Sequence, residues 1–246
     1  MRKFNLLLTL LLIYAAPAAF PARAQQAPAA APPPPVVLEL FSSQTCPFCP
    51  QADSLFARYA ADPHYIALAC HVDYDALNDP FARGICTQRQ DSYVRELEAG
   101  VSYTPQLVVN GAREAVGYKA AEVGAAIEEA AAQEPVAPIT FTPEPSADGY
   151  KVHWRGRVRP APGARPPHIW LAMMLAPQKV PAEKAGASPV YANIVNRVQD
   201  LGTWPPTVPA QVLHAPLAPG ETGFALLVQD EASGRIVAAG QLARKR

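Results

Sequence analysis

Two cysteines with two residues between them, Cys46 and Cys49, sit where an apolar run ends and an amphipathic one begins. Val36, Val37, Leu38, Leu40 and Phe41, with Glu39 among them, read as a strand buried on both faces. Beyond the cysteines, Ala52, Leu55, Phe56, Tyr59 and Ala60 recur at i, i+3, i+4, i+7 and i+8. That spacing is one stripe of a helix, closed before Pro63. A cysteine at a strand-to-helix junction meets unpaired backbone N–H groups and the positive end of the helix dipole, which favour thiolate over thiol. Cys46 is therefore the expected nucleophile, and Cys49 the resolving partner one turn into the helix. Pro47 stiffens the turn, and Phe48 offers apolar surface beside the sulfurs.

The chain around this junction alternates strand and helix. Tyr65 to Asp73 reads as a second strand, parallel to the first because a helix crosses between them. Asp79-Pro80 has the form of an N-cap with proline at the first helical position. Phe81, Ile85, Tyr93, Val94 and Leu97 then predict helix to about Glu98, broken near Cys86. Gln106 to Asn110, the Asn110-Gly111 turn and Glu114 to Gly117 form a hairpin pattern, and Lys119 to Gln133 is an Ala/Glu-rich helix. The order β-α-β-α-β-β-α predicts an α/β domain over residues 36–134, a mixed sheet flanked by helices. Prolines at 135 and 138 mark a break. Alternating apolar residues follow at Ile139 and Phe141, Tyr150 to Trp154, and Ile169 to Leu175, and a terminal hairpin turns at Ser233-Gly234. Ile194, Val195, Val198 and Leu201 are at helical spacing within Tyr191 to Leu201. Residues 135–246 are thus expected to form a smaller β-rich domain with one helix.

The first 24 residues are not fold. Arg2 and Lys3 precede an apolar run, and Ala22-Arg23-Ala24 has the form of a cleavage site, the pattern of a secretory signal peptide. Residues 25–35, Ala/Pro-rich and ending in four prolines, read as a polyproline spacer. The expected address is periplasmic or secreted, where disulfides persist. Cleavage after Ala24 leaves 18 basic against 21 acidic residues, a net charge of −3. With no long basic run, nucleic acid and membrane surfaces after signal cleavage are excluded as expected partners.

Further along, Tyr103-Thr104-Pro105-Gln106 runs directly into the hairpin. This placement resembles the thioredoxin superfamily, which sets a cis-proline opposite its Cys-x-x-Cys pair. The resemblance implies that Thr104 and Pro105 wall the site and that the neighbouring backbone pairs with an incoming chain. A narrower resemblance rests on Glu-Leu-Phe-x-Ser-Gln-x-Cys-x-x-Cys-Pro-x-Ala-Asp from Glu39 to Asp53, on His71-Val72-Asp73-Tyr74 and on Thr87-Gln88-Arg89-Gln90. Asn193-Ile194-Val195-Asn196-Arg197 and Val228-Gln229 extend it. These residues resemble a secreted bacterial, thioredoxin-like family known only as a domain of unknown function, which lends no substrate. The stretch from Leu38 to Cys49 also resembles periplasmic thiol oxidases that keep a buried acid beneath the site. Glu39 is then the candidate proton shuttle for Cys49, with an edge-facing strand residue as the plain alternative.

Of the remaining cysteines, Cys70 and Cys86 are expected to pair, since a short Cys46–Cys49 link leaves only that connectivity among four cysteines. Such a bond braces the flank of the site or relays electrons to it. The expected function is thiol–disulfide exchange with a thiol- or disulfide-bearing protein, with no cofactor and no metal. Two alternatives stand beside it. One is a non-enzymatic module whose disulfide only braces the turn. The other is a copper or zinc carrier using Cys46, Cys49, His71 and Asp73.

Overall fold

β1 (Val36–Ser42) is buried along its whole length, and its two faces serve two different cores. Leu38 and Leu40 point into one cluster, and Val37 and Phe41 into another, as the two-residue repeat of a strand dictates. The computed structural model describes residues 33–74, 79–158, 164–179, 190–204 and 210–243. The expected signal peptide, most of the proline spacer and the loop 75–78 fall outside these residues. The architecture is mixed α/β and strand-rich. No helix among the described residues is long and apolar enough to cross a membrane.

The first sheet contains β1, β2 (Tyr65–His71), β3 (Gln106–Val109) and β4 (Arg113–Val116), in the order β2-β1-β3-β4. β2 lies parallel to β1; β3 and β4 run antiparallel. The turn between β3 and β4 puts Asn110 and Gly111 at φ of 50° and 61°, and the Ala112 N–H closes it on the Val109 carbonyl at 2.9 Å. Asn and Gly tolerate that left-handed backbone, which the twist of a hairpin favours. The helices α1 (Cys49–Ala60) and α3 (Ala120–Ala131) cover one face, burying Ala52, Leu55, Phe56, Val123, Ala126 and Ala130 against Leu38, Leu40 and Leu107. α2 (Gly84–Glu96) packs on the other face through Cys86 and Tyr93.

The second half adds β5 (Ala137–Pro138), β6 (Thr140–Ser146), β7 (Gly149–Arg155), β8 (His168–Leu175), β9 (Gln178–Lys179) and β10 (Val190–Tyr191). It closes with β11 (Val195–Thr203), β12 (Ala210–Pro216), β13 (Glu221–Gln229) and β14 (Ile236–Ala243). One sheet runs β11-β8-β13-β14-β5 and a smaller one β12-β7-β6. Alternation again sorts the side chains. Leu171, Met173, Phe224, Leu226 and Val228 meet Val152, Trp154 and Leu213 between the two sheets. Ala172, Met174, Ala225 and Leu227 face the α/β sheet and share a core with Val37, Phe41, Ile66, Leu68 and Tyr93. Residues on either side of Pro135 are therefore packed around one common cluster.

Three local expectations fail for identifiable reasons. Tyr191 to Leu201 holds no helix: Tyr191 ends β10, and from Val195 the chain runs in β11, which pairs with β8 through two register shifts, Val195/Arg197 and Asp200/Thr203. Each bulge inserts a residue, so a period of two comes to imitate a helical one. Asp79 does not cap α2, whose N-cap position is Arg83, because its carboxylate is taken by His71, Gln44 and Phe81. Nor is α2 broken at Cys86; that residue lies in its first turn.

Candidate functional site

The chain leaves β1 at Ser42, turns, and enters α1 at Cys49, with Phe48 at the N-cap position and Pro50 in the first turn, where a missing N–H costs nothing. The Cys46 N–H donates to the Ser43 carbonyl and the Cys49 N–H to the Cys46 carbonyl, each at 3.3 Å, which fixes both sulfurs at the helix entrance. Both carry free thiols. Cys46 retains 8% of its surface and Cys49 none, so one sulfur is approachable and the other sealed.

The Cys49 thiol donates to Cys46, and this is the chief reason the Cys46 pKa falls from 9.0 to about 6. Burial opposes the fall, while the Thr104 side chain and the N–H groups of Phe48 and Cys49 add to it. Cys49 moves strongly upward, first because its proton is held by Cys46 and second because it is buried. Helix-end N–H groups thus contribute as the sequence suggests, but the partner thiol contributes more. Opposite the pair, the Thr104-Pro105 peptide is cis, and the Thr104 carbonyl lies 3.5 Å from the Cys46 sulfur. Around the opening are exposed apolar side chains: Phe48, stacked on Tyr118 at 5.3 Å between centroids, and Tyr74.

Behind the sulfurs is a buried polar network. The Ser42 hydroxyl donates to Asp53 at 3.1 Å, and the same hydroxyl interacts with Cys49. Asp53 stands one helical turn after Cys49, on the same face of α1. Burial pushes its carboxyl up to about 7; His71 and Ser42 pull it down, and the charges of Cys46 and Asp79 push it further up. His71, on the α1-facing side of β2, pairs through Nδ1 with Asp79 at 2.7 Å, and its Nε2 is buried without a hydrogen-bond partner. Burial works against the Asp79 carboxylate, but His71 and the Gln44 and Phe81 N–H groups hold it below the usual range.

Glu39 is not brought to the thiols. It occupies the opposite face of β1, where Arg89 grips both its oxygens and Tyr93 donates to it at 2.5 Å. Arg89 also reaches Gln229 at 3.1 Å, tying α2 to the terminal hairpin. Strand alternation explains the placement, since odd positions of β1 face α2 and not α1. Cys70 and Cys86 form a disulfide on that same α2 side. Asp73 turns to Thr87, so it does not join His71 and the two thiols; among the described residues, no cluster of three or more metal-binding side chains assembles. The readable signal for Asp53 was its i+4 spacing from Cys49. For Asp79 and Tyr191, which reach the site only through tertiary packing, there was none.

A family model described as "Protein of unknown function (DUF1223)" matches residues 37–229. The chain belongs to the DUF1223 family. A search of curated proteins finds no match. Among solved structures, this DUF1223 member is similar to a structural-genomics target protein from Agrobacterium tumefaciens, at 26% identity and a TM-score of 0.69, covering 86% of this chain and 95% of that one. It is also similar in fold to HBP35 of Porphyromonas gingivalis, at 14% identity and a TM-score of 0.64, covering 86% and 75%. A cavity of about 360 Å³ opens on the far side of the DUF1223 chain, between α2 and the five-stranded sheet, lined by Arg89, His168 and Trp170 among others. It does not include the thiols.

Proposed function

We propose that the chain is an exported thiol–disulfide oxidoreductase built on a thioredoxin-like domain, acting on thiol- or disulfide-bearing proteins. The observation carrying this reading is the asymmetry of the pair: an approachable Cys46 with its pKa lowered to about 6, next to a sealed Cys49 whose proton is held. When the partner is reduced, the Cys46 thiolate attacks one sulfur of its disulfide and the other sulfur leaves as thiolate. Cys49 then gives up its proton and attacks Cys46, releasing the second partner thiolate and leaving a Cys46–Cys49 disulfide. Oxidation of a partner is the same sequence reversed. Cys49 needs a proton acceptor inside the protein, and Asp53, reached through Ser42 and titrating at about 7, can both take and return one near neutral pH. This role passes from Glu39 to Asp53. The Thr104 carbonyl beside the Cys46 sulfur supports docking of a partner chain across Cys46.

Oxidised glutathione tests the chemistry directly. The reduced protein is expected to proceed to the Cys46–Cys49 disulfide, Cys49→Ala to stop with one glutathione on Cys46, and Cys46→Ala to remain unmodified. A wild-type chain that holds a glutathione adduct without resolving it contradicts the proposal.

A further inference from the structure

The network behind Cys49 is closed by a residue from the second half of the chain. Tyr191, 4% exposed, sets its ring against His71 at 5.3 Å between centroids and 88° between planes. Phe81 meets both rings, His71 at 5.6 Å and Tyr191 at 5.9 Å. These edge-to-face contacts enclose the imidazole, whose Nε2 is buried without a hydrogen-bond partner.

The segment that carries Tyr191 is tied down on the thiol domain. The Ala69 N–H donates to the Asn193 carbonyl and Asn193 Nδ2 to the Ala67 carbonyl, both at 3.0 Å, so residues 193 and 194 lie along the free edge of β2. Asn193 meets this geometry at φ of 49°, a left-handed backbone that asparagine tolerates better than most residues. Arg83 fixes the other end, with Nε to the Asn196 carbonyl at 2.9 Å and Nη2 to Asn196 Oδ1 at 2.8 Å. Arg83 also ends the turn that presents Asp79. One clamp therefore holds the edge of β2, the Asp79 turn and the Tyr191 ring together.

We propose that Tyr191 is a positioning residue of the thiol centre: its ring seals the Ser42–Asp53–His71–Asp79 network from water and keeps the Asp53 carboxyl dry. The assignment rests on the thiol–disulfide reading, and it makes the β-rich half a working part of the centre. The groups facing Asp53 are Ser42 from β1, Cys46 and Cys49 from the turn and α1, His71 from β2, Asp79 from its turn and Tyr191 from β10. Of these, Ser42 and His71 favour the Asp53 carboxylate, and Cys46 and Asp79 oppose it. Burial is the largest influence, and Tyr191 stands close enough to feel the Asp53 charge. The Tyr191 hydroxyl is itself held protonated by burial and by the charges of Asp53, Asp79 and Cys49, which puts it within reach of the same groups. Water admitted at this wall would stabilise the Asp53 carboxylate and remove its ability to donate at neutral pH.

The test is a carboxyl NMR titration of Asp53 in the full chain, assigned with Asp53→Asn. The wild-type midpoint is expected at about 7. Tyr191→Phe keeps the ring and leaves the midpoint in place. Tyr191→Ala opens the wall and moves it down by about one unit or more. Should Tyr191→Ala not fold, Tyr191→Leu, which keeps bulk and loses the flat ring, moves it in the same direction by less. A midpoint unchanged in a folded Tyr191→Ala or Tyr191→Leu chain, or one that falls as far in Tyr191→Phe, overturns the proposal. The titration needs no redox turnover, whereas the glutathione reaction needs no titration, so either claim can fail while the other stands.

Discussion

The two faces of one sheet hold two buried polar clusters with opposite characters. On the α2 face, Glu39 is matched by Arg89 and Tyr93, both of which Gln229 holds in turn, and a disulfide from Cys70 to Cys86 lies on the same side. On the α1 face, Asp53 has one hydroxyl donor, His71 leaves a ring nitrogen unmatched, and two thiols share a proton. A buried carboxylate gripped by a guanidinium serves as a brace. A buried carboxyl without a cation is held near its titration point and can exchange a proton. The difference teaches that burial of an acid says little until its partners are known. Glu39 and Asp53 are both buried, yet Glu39 meets a guanidinium and Asp53 a single hydroxyl.

Substitutions should separate the faces. The largest effect belongs to Arg89→Ala, which leaves Glu39 buried without its cation, the Tyr93 hydroxyl still donating to it. A loss of about 3–5 kcal/mol in denaturant unfolding is expected, with little change in Cys46 titration. Removing the Cys70–Cys86 disulfide with Cys70→Ala and Cys86→Ala together should cost about 3 kcal/mol in the chain-entropy picture. If that variant loses glutathione reactivity while folded, the bond is more than a brace and the contrast fails.

On the thiol face the sign reverses. The folded-state pKa of Asp53, about 7, stands above the ordinary aspartate value of 3.8, so the folded chain binds more protons between those limits. Stability from this group is complete below pH 4 and is lost as pH rises through 7. Asp53→Asn should flatten that decline and raise stability at pH 8 by on the order of 2 kcal/mol, at about 1.36 kcal/mol per pKa unit less local relaxation. The resolving step should slow by about a hundredfold or more, as for loss of a general base. The smallest effect is that of Ser42→Ala, about 1 kcal/mol for one hydrogen bond, with Asp53 titrating higher because a donor to its carboxylate is gone.

What could be read from the chain beforehand was its local part. The unbroken apolar run of β1, the helical stripe from Ala52 to Ala60 and the Asn110-Gly111 turn each carry their own signal, because the forces that shape them act within a few residues. Pairing of Cys70 with Cys86 followed from counting. What could not be read depends on distant chain segments. The bulges that turn Val195 to Thr203 into a strand are set by β8, and Asp79 gives up its capping role to a histidine eight residues away. Glu39 sits in the right strand but on the wrong face, and only the packing of α2 against that face reveals it. Tyr191 reaches the site from more than a hundred residues beyond the cysteines, along the edge of β2.

The central claim is that Cys46 and Cys49 form a working redox couple. Equilibration of the full chain in graded glutathione buffers measures this directly. A midpoint in the range of exchange-active pairs, about −120 to −270 mV, is the predicted result. A midpoint below about −300 mV, the range of structural disulfides, contradicts it.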